Sequence, residues 1–266
     1  MFEVMSIQPQ AQPTTTLEAW RLSPLAGLRP RDVMLVTDFD GTLSEIVSDP
    51  SQSTILPASR DALTRLAGSL RRVAVVSSRS TEDLERRVPV RGVDLIGDSG
   101  LGLVTADERG RLDQFNLEAG RILHRFPGVW LEMKSGATAI HHRNSTASRE
   151  ELMDALRSLS ERTGLHMQPG RRVIEVIPRD HPKGDMLEAM IEMRRPLGII
   201  CIGDDENDRP MFELVASLRL PHLTIGVASS EAAPDLFASC DLVVSDPQEV
   251  SRFLTIVAEW AERGNL

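Results

Sequence analysis

The chain has 266 residues, 41% of them hydrophobic, and a formal net charge of -9 at pH 7. That length supplies one large α/β domain, or a domain with an inserted partner. The acidic balance argues against nucleic acid or an anionic membrane surface as partner.

No apolar run approaches a membrane span and no signal peptide opens the chain, so a soluble, cytoplasmic protein is expected. Residues 1–16, rich in Gln, Pro and Thr, read as a mobile tail, and Leu17 to Leu28 as a short helix. "VMLVT" (33–37) is a buried strand, "PASRDALTRLAGSL" (57–70) a helix, "VAVVS" (73–77) a strand, "TEDLERRV" (81–88) a helix and "VDLIG" (93–97) a strand. This βαβαβ order predicts a parallel sheet with right-handed crossovers. The rhythm then changes. From Leu101 to Ile177 the strands are shorter and mixed, at 129–134, 137–142 and 172–177, with helices at 117–126 and 148–163 and a "KSGA" hairpin turn.

The alternation resumes with helix 183–194, strand 198–202, helix 208–217, strands 223–227 and 241–245, and a last helix over 247–263. The expected architecture is α/β: a doubly wound parallel-sheet core interrupted by an inserted α+β cap. Its divisions are 1–30 for the tail and short helix, 31–104 and 179–266 for the core, and 105–178 for the cap. Cys201 and Cys240 fall in apolar strand-like runs and read as buried thiols rather than a bridge. Only two of the 30 basic residues are lysines, Lys134 and Lys183. Ammonium and guanidinium are not interchangeable at a tight site, so both lysines are candidates for function.

In such a sheet, ligands bind beyond the carboxyl ends of the strands. Four polar clusters fall there: Asp38-Phe39-Asp40-Gly41-Thr42, Ser77-Ser78-Arg79, Gly97-Asp98-Ser99-Gly100, and Gly203-Asp204-Asp205-Glu206-Asn207-Asp208. Any one of them alone reads equally well as a turn or a helix cap. Two are crowded with carboxylates, which repel unless a cation sits among them, and hard oxygen ligands of this kind suit Mg²⁺. A carboxylate can also attack phosphorus, and a second can pass a proton to the leaving oxygen.

The first, second and fourth of these clusters, with Lys183-Gly184 before the last, resemble the four motifs of the haloacid dehalogenase superfamily of phosphatases in order and spacing. The resemblance implies Asp38 as nucleophile, Asp40 as general acid/base, and Ser77 and Lys183 as phosphate ligands. It implies Mg²⁺ held by Asp38, the backbone carbonyl of Asp40, and Asp204, with Asp208 supporting. Within the superfamily, "DFDGTLSEIVSDP", "LEMKSGATAIHHRN", "PGRRVIEVIPRDHPKGDML" and "IGDDENDRPMF" are similar to the trehalose-6-phosphate phosphatases. That similarity implies a sugar-binding cap face with Glu132, Lys134, Glu175 and Arg143, trehalose 6-phosphate as substrate, and a functional link to a trehalose-phosphate synthase.

The chain departs from that pattern at Ser99 and Gly102, where the family carries His and Glu, at Ser78, and at Asn207-Asp208-Arg209. Another sugar phosphate, such as sucrose phosphate or glucosylglycerol phosphate, therefore stays open as substrate, as does a silent sugar-phosphate-binding module. Bland readings stand beside several residues. Glu132 and Lys134 share a strand face and also fit a surface ion pair. Ser78 and Arg79 also fit a helix cap, with Arg79 a candidate for orienting the site. Asp205 fits a metal shell or a turn. His141 and His142 point to opposite faces, which disfavours a shared metal. Trp20, Trp130 and Trp260 read as packing.

Overall fold

The computed structural model describes residues 15–264 except 102, 103, 135, 171, 181, 230, 231 and 234. Most of the expected tail, Gly102 and one residue of the "KSGA" turn lie outside the described residues. Thr15 caps helix α1 (Thr16–Leu22), accepting a hydrogen bond from the Glu18 amide. The expected helix to Leu28 stops early, because Ser23 is extended and Pro24 opens a separate 3-10 turn, Pro24–Gly27.

Strand β1 (Val33–Thr37) is followed by α2 (Pro57–Ala67), β2 (Arg72–Val76), α3 (Thr81–Arg87) and β3 (Asp94–Ile96). Then come α4 (Ala106–Leu123), β4 (Trp130–Met133), β5 (Thr138–His141), α5 (Arg149–Thr163), β6 (His166–Gly170) and β7 (Val173–Ile177). The chain closes with α6 (Pro182–Arg194), β8 (Gly198–Gly203), α7 (Arg209–Ser217), β9 (His222–Val227), β10 (Leu242–Val244) and α8 (Pro247–Arg263).

Two sheets form. One is parallel and six-stranded in the order β10-β9-β8-β1-β2-β3. The chain winds outward from β1 in one direction and from β8 in the other, so the switch point lies between these neighbours. β1 shows why both faces are covered. Val33 and Leu35 pack into the cluster that holds Leu63, Leu66 and Phe253, while Met34 and Val36 pack against Leu187, Met211 and Phe212. Cys201 and Cys240 are buried free thiols, as expected, and burial pushes Cys240 up to about 12.

The second sheet is antiparallel, β4-β5-β7-β6. Ile140, Ile174 and Val176 on one face pack against Leu112, Phe115 and Ala119 of α4 and Leu152, Leu156 and Leu159 of α5. Two features differ from the expected pattern here. α4 begins at Ala106 because Thr105 and Glu108 close a capping box well before 117. β6 was not expected as a strand, since Pro169 and Gly170 carry poor strand propensity; its pairing with β7 overrides that.

Candidate active site

Asp38 follows β1 directly, and its amide donates to the Ile202 carbonyl of β8, 2.9 Å away. The carboxylate is thereby fixed over the switch point. Asp204 and Asp208 come from the turn after β8, and oxygens of Asp38, Asp204 and Asp208 lie within 4.8 Å of one another. All three residues are buried. Lys183, at the start of α6 and 1% exposed, donates to Asp38 Oδ1 at 2.7 Å, Asp208 Oδ1 at 2.6 Å and Asn207 Oδ1 at 3.1 Å.

Asp208 braces the turn with its other oxygen. Oδ2 accepts from the Asp204 amide at 2.9 Å and the Asp205 amide at 3.2 Å. Asp205 caps the turn Glu206–Asp208, its carboxylate accepting from the Glu206 amide at 2.8 Å. Gly41 is required by contact, since a Cβ there would sit 2.1 Å from Asp204 Oδ2 at a backbone φ of +81°. Burial raises the Asp38 carboxyl well above the usual carboxylate range, and the Lys183 ammonium only partly counters it. Burial opposes the charge of Lys183 too, yet the Asp208 and Asp38 carboxylates hold its proton far above the ordinary lysine value.

The donor chemistry fits a divalent cation. Three buried carboxyl groups bring their oxygens together in an all-oxygen cluster beside a glycine that leaves no room for a side chain. Clustered buried carboxylates repel one another unless a cation lies among them, and hard oxygen ligands match Mg²⁺.

Asp40 belongs to a second network. Arg79 forks onto its carboxylate, Nε to Oδ2 at 2.6 Å and Nη2 to Oδ1 at 2.9 Å, and Ser53 Oγ donates to Oδ1 at 3.0 Å. Behind them stands Asp83 on α3, which takes Arg79 and Arg87 at 2.7 Å each. Arg87 reaches the Ser53 carbonyl, so Asp83 anchors both routes to Asp40. The two arginines hold the Asp83 carboxyl far below its usual range despite its partial burial. Ser77 follows β2, is buried, and accepts through Oγ from the Arg79 amide at 3.2 Å.

The second sheet faces this end of the core. Lys134 Nζ donates to the Ser78 carbonyl at 2.8 Å and to Glu175 Oε1 at 3.0 Å. Burial works against the Lys134 charge, but Glu175 outweighs it and raises the proton affinity. Glu132 Oε2 accepts from the His141 ring at Nε2, 2.8 Å away, and that hydrogen bond lowers its carboxyl. Arg143 donates to the Val47 and Ser48 carbonyls at 2.7 and 2.5 Å. Between the sheets lies a cavity of about 780 Å³ lined by Asp38, Asp40, Ser77, Glu132, Lys134, Arg143, Glu175 and Asp204. Asp208 and Lys183 stand behind this wall, buried.

A family model described as Trehalose-phosphatase matches residues 36–237, well over half of the chain. The chain belongs to the trehalose-phosphatase family. It is similar to the trehalose-phosphate phosphatase of Mycobacterium avium (strain 104), 32% identical over 256 residues, covering 90% of this chain and 65% of that protein. The protein of the same description from Mycobacterium tuberculosis (strain ATCC 25618 / H37Rv) is 33% identical over 213 residues, covering 73% of this chain and 54% of that one. The chain therefore spans 65% or less of the length of these curated relatives. Its fold is similar to the C-terminal domain of C. albicans trehalose-6-phosphate phosphatase, with a TM-score of 0.74 at 17% identity over 94% of this chain and 99% of that one. It is also similar to a haloacid dehalogenase-like hydrolase from Bacteroides thetaiotaomicron, with a TM-score of 0.61 at 16% identity over 86% and 98% of the two chains.

Within this member of the trehalose-phosphatase family, every candidate from the motifs reaches one site, but not all in the same way. Asp40 and Asp38 sit in separate networks. Ser99, at a departure from the family pattern, is buried with φ +55° and an Oγ without a hydrogen-bond partner. Three residues escaped the sequence reading. Asp83 was signalled by Arg79, Asp83 and Arg87 at successive spacings of four. Gln168 lines the cavity from the unexpected strand β6. Trp130 corrects the packing assignment: it is 51% exposed and lines the cavity, whereas Trp20 is buried against Trp260. Among the described residues, no helix is long and apolar enough to cross a membrane.

Proposed function

We propose that this protein is a magnesium-dependent phosphomonoesterase that hydrolyses a sugar phosphate, trehalose 6-phosphate, through an aspartyl-phosphate intermediate. The observation that carries the reading is Asp38, held from behind by Lys183, lining a cavity whose far wall carries Glu132, Lys134 and Glu175. Residues 105–178 act as a cap on a core of 31–104 and 179–266. The substrate is the product of a sugar-phosphate synthase, which gives the protein its functional partner.

In this reading Asp38 attacks phosphorus through the oxygen not held by Lys183, and the alkoxide leaves with a proton from Asp40. Asp40 then takes a proton from the water that hydrolyses the acyl phosphate. Ser77 and Lys183 hold phosphoryl oxygens, with the ammonium set against developing negative charge. Asp38, the Asp40 carbonyl and Asp204 would hold Mg²⁺, braced by Asp208, and the ion would offset repulsion between the anionic nucleophile and the dianionic substrate. Glu132, Lys134, Glu175 and Arg143 orient the sugar, carboxylates accepting from hydroxyls and cations donating to them. The Lys134 and Arg143 contacts to core carbonyls hold the cap down over the site and exclude water from the first step.

The test is phosphate release from trehalose 6-phosphate, sucrose 6-phosphate, glucosylglycerol phosphate and glucose 6-phosphate, with and without Mg²⁺. Preference for trehalose 6-phosphate, lost with EDTA and restored by Mg²⁺, is the expected result. Preference for another sugar keeps the aspartate chemistry and discards the trehalose assignment. Binding without release discards catalysis.

A further inference from the structure

The register of the second sheet sorts its cavity-facing side chains into rows. Glu132, Ala139, Glu175 and Gln168 pair across β4, β5, β7 and β6. The next row along the strands is Trp130, His141, Val173 and Gly170. Alternation puts Trp130, Glu132 and Lys134 on one face of β4. Lys134 touches the core at the Ser78 carbonyl, so Glu132 stands one step away and Trp130 two. Each step of two residues spans about 6.6 Å, close to the breadth of one sugar ring.

We infer that Trp130, backed by His141, is the platform for the phosphate-distal ring of a disaccharide phosphate; this rests on the sugar-phosphatase reading above. The indole is held rather than loose. The His141 ring lies parallel to it, centroids 3.9 Å apart with an interplanar angle of 13°, and His141 is itself tied to Glu132. One face of the indole is thus covered by a fixed ring, and Trp130 remains half exposed where it lines the cavity. An exposed tryptophan on an edge strand also suits a protein contact. Here, however, the ring stands in the same row system as the polar side chains that face the aspartates.

The chemistry matches a pyranose. Its hydroxyls project around the rim while one face presents C–H groups, and these pack favourably on the electron-rich face of an indole. The polar row supplies hydrogen-bond partners for the proximal ring, and the aromatic row supplies an apolar surface for the distal one. A monosaccharide phosphate anchored at Asp38 has no second ring to reach Trp130. The platform therefore contributes to the choice of a disaccharide over a monosaccharide phosphate, in a cavity where, among the described lining residues, Trp130 is the only Trp and no Phe appears.

Two readouts test this. The first is kcat/KM for trehalose 6-phosphate and glucose 6-phosphate. Trp130→Ala is expected to lower the disaccharide value about tenfold, mostly through KM, and the monosaccharide value less than about twofold. Trp130→Phe is expected to restore most of the loss, and far-UV circular dichroism checks that both variants are folded. Equal losses on both substrates, or none on the disaccharide, overturn the inference while leaving the phosphatase reading intact. A wild-type protein that releases no phosphate from trehalose 6-phosphate overturns the reading and the inference with it. The second readout is tryptophan fluorescence in the Asp38→Asn protein titrated with trehalose 6-phosphate. Trp20 is buried in the core and Trp260 packs against it, so a saturable change that disappears in Asp38→Asn/Trp130→Phe places the ligand on this indole. A change that persists in the double variant excludes it.

Discussion

The two walls of the cavity are built on opposite principles. On the core side, Asp38, Asp204, Asp208 and Lys183 are all buried, and each oxygen of Asp208 is already engaged. On the cap side, Glu132 and Trp130 are exposed and share the partly covered His141 as partner, while Glu175, paired with Lys134, is the buried exception. A buried charge cluster is rigid, tolerates almost no substitution, and strengthens every electrostatic interaction within it. An exposed face of mixed hydrogen-bonding groups costs little to change. Under the proposed function, the difference assigns reaction type to the dry wall and substrate choice to the wet one.

Variants of the dry wall give the largest effects. If Asp38 is the nucleophile, Asp38→Asn should lower steady-state turnover by on the order of 10⁴-fold or more, with circular dichroism unchanged. Lys183→Met leaves Asp38 and Asp208 buried without their cation. Urea unfolding should show a loss of about 3–5 kcal/mol together with loss of activity. Retained stability in that variant would break the contrast, because it would mean that the cluster is not dry.

The Asp83–Arg79–Asp40 network sharpens the comparison at an intermediate scale. Asp83→Asn leaves Arg79 and Arg87 without their shared anchor and loosens the acid that protonates the leaving group. For trehalose 6-phosphate, whose alkoxide needs that proton, kcat/KM should fall about 10- to 100-fold. For 4-nitrophenyl phosphate, whose phenolate leaves without help, it should change less than about threefold. Equal losses on the two substrates would mark Asp83 as a scaffold residue only.

Glu175 is buried on the cap side, away from the reacting centre, so its replacement should act on substrate binding rather than on chemistry. Glu175→Gln keeps the shape but removes the charge paired with Lys134, so the KM for trehalose 6-phosphate should rise about tenfold with kcat nearly unchanged. The smallest effect concerns the link from α4 to the segment after β7. The Arg179 guanidinium, 2.9 Å from Glu108, lowers the glutamate from its ordinary value near 4.5 to about 2. Because the folded value is depressed, this pair's stabilisation is complete above pH 4.5 and fades as pH falls towards 2. Urea midpoints of wild type and Glu108→Gln should converge across that window and separate above it.

How much of this was legible follows from the range of the interactions involved. The parallel core was readable because β1 and β8 are continuous apolar runs, and such runs ending in carboxylates define strand ends by themselves. The motif aspartates and Lys183 were readable for the same reason: each sits at a fixed offset from a strand or helix start. Both scarce lysines proved to be cations with carboxylate partners, Lys183 buried and Lys134 partly covered. What the pattern hid was non-local. β6 exists because β7 pairs with it, although its own residues favour a turn. Trp130 faces the cavity because β4 is an edge strand whose other face is turned towards α4 and α5, a fact no window around "VWLEMK" contains. Asp83 carries a visible spacing with its two arginines, but its link to Asp40 runs through Ser53 and Arg79 from different loops.

The most direct test of the account is a rapid acid quench after mixing the protein with Mg²⁺ and trehalose 6-phosphate labelled with ³²P. The account predicts a protein-bound label that is released by hydroxylamine, maps to the peptide containing Asp38, and is absent in Asp38→Asn. Phosphate release at full rate with no label on any residue, or a label on a residue other than Asp38, would contradict it.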